Sequence, residues 1–182
     1  DAGALFEHCL QLTSADGLAH HALGNTYARM GKRDAAIMQF REAIRVDPML
    51  SAAYIDLGVQ LAAQGKSDEA YARFEDALRE DPGSASALLN IGMLLATQGR
   101  HEEAAGYFER ALQVNPDSGE AHYRLATALI QTGKPGEAIP HFTKALETGP
   151  RAELYYNRGL AHNAAGQDGS AIADFTQATT VN

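Results

Sequence analysis

Histidines and clustered acidic side chains are the residues of this chain whose types could support catalysis or metal binding. A helical zinc site uses two histidines four residues apart, and none of the seven histidines has that spacing. His20 and His21 are adjacent, so they point to different faces of a helix. The acidic stretches 67–69 and 101–103 stand where helices are predicted to begin, and acids there suit the helix dipole. We therefore predict no metal site and interpret these acids as structural rather than as general acids or bases.

Other chemistries have equally little support in the sequence. The single cysteine, Cys9, excludes an internal disulfide framework. It occupies a small-residue slot of the repeat described below, and packing is its predicted role. No glycine-rich phosphate loop occurs, and no nucleophile, base and orienting group form a recognisable motif. We predict a protein without enzymatic activity and without cofactors.

Composition narrows the class of partner. The 182 residues carry a net charge of −8, which argues against nucleic-acid binding because phosphate backbones need a clustered basic face. No apolar run approaches the roughly 20 residues of a membrane helix, so direct membrane insertion is not predicted. The 45% of hydrophobic residues is ample for a folded protein.

A unit of two helical patterns organises the chain and would position any functional side chain. The stretch 51–82 shows an apolar helical pattern, a glycine stop, a second helical pattern and a proline stop, and shifting it by 34 residues fills the same slots again. The glycines that close the first helices are Gly31, Gly65, Gly99, Gly133 and Gly166. The phenylalanines of the second helices are Phe40, Phe74, Phe108, Phe142 and Phe175. A fixed period of this length is typical of a solenoid, in which stacked hairpins bury apolar faces that one hairpin cannot bury alone.

Small residues should let the two helices of a unit approach each other. Gly58, for example, is predicted to pack against Phe74, beside Ala70 of the second helix. The fifth copy keeps the small residue at Gly159, but Arg158 takes the slot that is apolar in the others.

These residues in register resemble the tetratricopeptide repeat (TPR) family, and the likeness covers about the whole chain. The resemblance implies an all-α, right-handed superhelical solenoid. Residues 1–182 would form a single TPR array. Its five repeats are predicted at 17–50, 51–84, 85–118, 119–151 and 152–182. Residues 1–14 are interpreted as the second helix of a truncated repeat, because Ala2, Phe6 and Cys9 reproduce its spacing.

The resemblance also implies a binding surface, because first helices line the concave side in this family. Carried over by register, the predicted groove residues are Ile55, Val59, Leu89, Asn90, Met93, Tyr123, Arg124, Thr127, Tyr156 and Leu160. Most of these side chains are apolar, while Asn90 and Arg124 would add polar anchors for a peptide backbone or a carboxylate. The expected ligand is a largely apolar protein or peptide segment with little negative charge, bound with weak salt dependence.

Three hypotheses for function follow. The first is a non-enzymatic scaffold that binds a partner peptide or helix in its concave groove. The alternative is a regulatory or substrate-docking arm of a larger enzyme, such as a glycosyltransferase. One branch of the family carries an asparagine ladder beside a sugar-transferring enzyme, and Asn90 and Asn157 stand in two of its five slots here. The third hypothesis is self-association through exposed end repeats.

Overall fold

The computed structural model describes residues 16–181, and within that range the chain forms ten α-helices and no strand. They are α1 (Gly17–Arg29), α2 (Arg33–Val46), α3 (Ser51–Ala62), α4 (Ser67–Glu80), α5 (Ala85–Thr97), α6 (His101–Val114), α7 (Gly119–Gln131), α8 (Pro135–Thr148), α9 (Ala152–Ala164) and α10 (Asp168–Thr180). The predicted all-α class is confirmed. The predicted helix at residues 1–14 lies outside the described residues.

The described residues divide into two compact units, one up to residue 90 and one from residue 91 onward. In the first unit α1 packs on α2 and α3 packs on α4. In the second unit α7 packs on α8 and α9 packs on α10. No helix between residues 16 and 181 combines the length and the apolar character that crossing a membrane requires. The five repeat boundaries and the single array stay predictions.

Within the helix pairs, an aromatic ring of the second helix packs against a small residue of the first helix. Phe74 is 1% exposed, and a Cβ atom added to Gly58 would lie 2.5 Å from its Cε1 atom. The same approach brings Gly92 against Phe108. Because real Cβ contacts are essentially never this short, glycine lets the first helix approach closely enough for the ring to fill the space between the helices.

The glycine at the end of each first helix takes the left-handed backbone conformation. Gly65, for example, has φ +77°, and nothing lies within 4 Å of the position where its Cβ would be. The amide of Lys66, which follows, donates to the carbonyl of Leu61 and satisfies a helix-end acceptor. The predicted glycine stops are therefore confirmed as turns that glycine favours for backbone reasons alone.

The last pair of helices has an arginine in a slot that is apolar in the other first helices, and this arginine forms an ion pair with an aspartate of the second helix. Arg158 of α9 donates from Nε to Oδ2 of Asp174 at 2.8 Å and from a terminal nitrogen to Oδ1 at 2.7 Å. Another terminal nitrogen of Arg158 donates to Oγ1 of Thr143 at 3.1 Å. The hydrogen bond to Asp174 raises the pKa of Arg158. The equivalent residue in α3 is Leu57, which is 3% exposed, so Arg158 stands in an otherwise apolar position.

Candidate functional site

In the first unit, the predicted groove residues lie on α3 and α5. Ile55 and Val59 are four residues apart and therefore share one face of α3. Val59 is exposed, whereas Ile55, Leu89 and Asn90 are half-buried. None of these four side chains is fully buried, so each retains surface that a ligand can contact.

In the second unit, three predicted groove residues line one pocket of about 380 Å³. They are Met93, Arg124 and Thr127. The pocket is also lined by Ala96, Thr97, His101, Phe108, Ala128 and Gln131. Its walls come from α5, α6 and α7, and its lining has more apolar than polar surface. A concave, mainly apolar pocket with a few polar groups is the usual form of a ligand site.

A hydrogen bond joins two first helices of the second unit. The hydroxyl of Tyr123 in α7 donates to Oε1 of Glu153 in α9 at 2.6 Å. Burial, followed by this hydrogen bond, raises the pKa of Tyr123. The phenol therefore stays neutral, and the bond to Glu153 holds the ring in place.

The two predicted polar anchors are partly occupied by contacts within their own helices. Arg124 donates from Nε to Oε1 of Glu120 at 2.7 Å, and its guanidinium lies 5.4 Å from the ring centre of Tyr123. Asn90 donates from Nδ2 to the carbonyl of Ser86 at 2.9 Å. The Arg124–Glu120 pair is largely solvated, and such pairs contribute at most about 1 kcal/mol. A ligand can therefore compete for the guanidinium at small cost.

Tyr156 and Leu160 of α9 are the most exposed of the predicted groove residues in the second unit. Tyr156 is 52% exposed and Leu160 is 41% exposed. The Tyr156 ring also packs at an angle on Phe175 with centroids 5.8 Å apart. Neither residue lines the pocket around Met93. The assignment of all ten residues to a single groove stays a prediction.

Among the polar contacts between helices that the sequence analysis missed, two involve histidines of first helices. In the first unit, Nε2 of His21 donates to Oδ2 of Asp56 at 2.7 Å and links α1 to α3. In the second unit, Nδ1 of His122 in α7 lies 2.9 Å from Nδ1 of His141 in α8. A search limited to neighbours on one helix cannot find such pairs. The repeat register offers a signal, because the two histidines are separated by the same 19 positions that separate His20 from its partner Gln39.

Within residues 16–181, no group of three or more histidine, cysteine, aspartate or glutamate side chains is arranged to hold a metal ion.

Paired helices, glycine turns and phenylalanine contacts together define an all-α solenoid protein built from helical hairpins. The model of the tetratricopeptide repeat matches residues 21–85, 55–119, 91–152 and 123–180. The chain belongs to the tetratricopeptide repeat family, as its sequence pattern predicted. A comparison with curated protein sequences finds no match.

Solved structures share the same fold at low sequence identity. YrrB, described as a TPR protein with an unusual peptide-binding site, is 22% identical with a TM-score of 0.78, over 96% of this chain and 91% of that chain. A MamA structure is also 22% identical with a TM-score of 0.78, over 90% of each chain. A double mutant of MamA from RS-1 is 19% identical with a TM-score of 0.81, over 90% of this chain and 93% of that chain. At these identities the likeness concerns the fold alone.

Proposed function

We propose that this chain is a non-enzymatic scaffold that binds a peptide or helix of a partner protein on its first helices. The observation that carries the proposal is the pocket of about 380 Å³ lined by Met93, Arg124 and Thr127. The repeat register predicts the same three residues as ligand contacts. The description of YrrB as having a peptide-binding site adds support from a protein of the same fold.

The pocket's lining indicates what kind of side chain it would accept. Met93, Ala96 and Phe108 give it apolar walls, and the charged or titratable lining residues are His101 and Arg124. A volume of this size accommodates one large apolar side chain with room to spare. We expect a ligand that inserts leucine, methionine or phenylalanine here and hydrogen-bonds through its backbone to Arg124. Because burial of apolar surface drives the contact, its affinity should depend weakly on salt.

The experiment selects ligands from a random peptide library displayed on phage and measures their affinity for the purified chain by fluorescence polarisation. Met93→Arg places a long cation in the pocket and should weaken selected peptides at least tenfold. Met38→Arg is the matched control, because Met38 is a 66% exposed methionine on α2. Both variants are first checked for parental helicity by circular dichroism.

Two results would contradict the proposal. One is a library that yields no enriched peptide after repeated selection. The other is a set of peptides that bind the parent, Met93→Arg and Met38→Arg equally well. A hydrolase and transferase screen of the chain should be blank, and turnover that survives repurification would overturn the non-enzymatic assignment.

Self-association through the end repeats is a second proposal, and the exposed side chain of Ile172 favours it. Ile172 of α10 is 67% exposed, whereas Ile37 in the same slot of α2 is 6% exposed. An isoleucine that is covered in one repeat and open in another offers apolar surface to a second copy. Sedimentation velocity at several concentrations should show an increasing average mass, and Ile172→Glu should abolish the increase. A constant monomer mass for the parent would refute it.

A further inference from the structure

The two histidines that face each other in the fourth repeat form the most unusual polar contact of the second unit. His122 and His141 approach through their Nδ1 atoms at 2.9 Å, and their ring centres are 5.2 Å apart. Both side chains are half-buried. They line an open pocket of about 400 Å³ together with Glu109, Leu112, Gln113, Pro116 and Leu125. The pair therefore lies at a solvent-accessible site with room for a small ligand.

The backbone fixes which nitrogen of His122 carries a proton. Nε2 of His122 lies 2.9 Å from the carbonyl oxygen of Pro116, and a carbonyl can only accept. Nε2 must therefore carry the hydrogen, and the Nδ1 lone pair of neutral His122 faces His141. A ring nitrogen held by a backbone carbonyl while the other nitrogen keeps its lone pair is the usual arrangement of a metal-binding histidine.

His141 can supply the second lone pair without any net loss of a proton. In the hydrogen-bonded pair its Nδ1 donates to His122, and moving that proton to its own Nε2 frees Nδ1 as a ligand. A metal ion binds histidine through a deprotonated ring nitrogen, and this tautomer of His141 presents one toward His122. The carboxylate of Glu109 lines the same pocket and places negative charge beside the pair.

The separation of the nitrogens indicates the class of metal. Two nitrogens 2.9 Å apart, each about 2 Å from a metal ion, subtend about 90° at that ion. This is the angle between neighbouring ligands in the tetragonal geometry of copper(II) and nickel(II), and it is narrower than a tetrahedral angle. The two rings have to turn so that each lone pair points about 45° away from the line between the nitrogens and toward the ion.

From this geometry we infer that His122 and His141 bind a divalent ion of the copper and nickel type through their two Nδ1 atoms. Water completes the coordination from the open pocket, because no third protein ligand is in place among the described residues. The ion replaces the shared proton and joins α7 to α8. The sequence analysis predicted no metal site because it searched for histidines four residues apart on one helix, whereas these two come from different helices.

The repeats provide matched variants for the test. His141→Gln recreates the pair in the first repeat, where Nδ1 of His20 contacts Oε1 of Gln39 at 2.8 Å, so this variant has a structural precedent within the chain. His20→Gln removes a histidine from the equivalent slot, where the residue that faces it on the second helix is Gln39 and not a histidine. Both variants keep the remaining histidines, so surface binding elsewhere stays constant.

The experiment titrates copper(II) chloride alone into the full chain at pH 7 and follows binding by calorimetry and electron paramagnetic resonance. The parent and His20→Gln should show a site with hyperfine splitting from two imidazole nitrogens. His141→Gln should lose at least tenfold in affinity and show one nitrogen or none. Equal affinity in all three chains, or a two-nitrogen spectrum that survives in His141→Gln, would mean adventitious surface binding and would overturn the inference.

A second measurement tests the contact itself before metal is added. Nitrogen-detected NMR of the imidazoles should show the Nε2–H form for His122 and the Nδ1–H form for His141. The opposite tautomer of His122 would contradict the role assigned to Pro116. It would remove the basis of the site whatever the titration shows.

Discussion

Replacing Arg158 by leucine tests the energetic cost of a buried carboxylate that keeps only His162 beside it, with Nε2 of His162 3.7 Å from Oδ2 of Asp174. The side chain of Asp174 is 6% exposed and that of Arg158 is 19% exposed, so the pair is shielded from water. Removing one partner of a buried ion pair costs about 3–5 kcal/mol, because the other charge stays buried. The new leucine would occupy the slot of Leu57 and offset about 1–2 kcal/mol by apolar burial. We expect Arg158→Leu to lower the free energy of unfolding by about 1–4 kcal/mol.

The double variant Arg158→Leu/Asp174→Gln removes both charges and copies the first repeat, which has Leu23 and Gln39 in these slots. Replacing a buried pair by neutral residues is often close to neutral, so the double variant should lie within about 1 kcal/mol of the parent. Urea unfolding followed at 222 nm gives the global stability, and hydrogen exchange in α9 and α10 shows whether the loss is local. The reasoning is refuted if the effects of Arg158→Leu and Asp174→Gln simply add in the double variant.

Three further perturbations test the packing, the turns and the hydrogen bond between Tyr123 and Glu153. Ala104 is 0% exposed, so Ala104→Leu should cost about 1–3 kcal/mol in a packed site, and an unchanged melting curve would contradict the assigned register. Gly65→Ala should destabilise the fold by about 1 kcal/mol because the φ of Gly65 is +77°. Gly106→Ala inside α6 should stabilise the fold by about as much. Melting temperatures that shift in the same direction for both variants would be inconsistent with this reasoning. Because the folded chain holds the Tyr123 proton more tightly, its contribution is present below about pH 10 and lost as pH rises through the raised pKa. Unfolding of the parent and Tyr123→Phe across this range should show the difference shrinking, and a constant difference would argue against the hydrogen bond to Glu153.

Periodic features were predictable from the sequence because each depends on local geometry. Gly65 needs a left-handed turn, and Phe74 needs a small residue opposite it, so spacing alone reveals both. The groove residues Met93, Arg124 and Thr127 follow from the same register. The helix class and the turns could therefore be assigned from the sequence, whereas the role of the groove residues stays a prediction.

Contacts between side chains of different helices were not predictable in the same way. Phe108 comes from a second helix, so a list restricted to first helices omitted it from the pocket. The partner of Tyr123 depends on which rotamer reaches Glu153, and spacing along one helix does not encode that choice. The same holds for His122 and His141, because the proposed site depends on a contact between two different helices.

The ion pair of the last hairpin has a consequence for how the chain finds its native pairing. All second helices carry the same phenylalanine and alanine slots, so apolar contacts alone would allow a first helix to join the wrong partner during folding. The slot of Asp174 holds Arg73 in α4 and His141 in α8. If α9 joined α4, Arg158 would face Arg73, and two like charges would be desolvated together. A charge at this slot would therefore disfavour that incorrect pairing of α9 with α4 during folding.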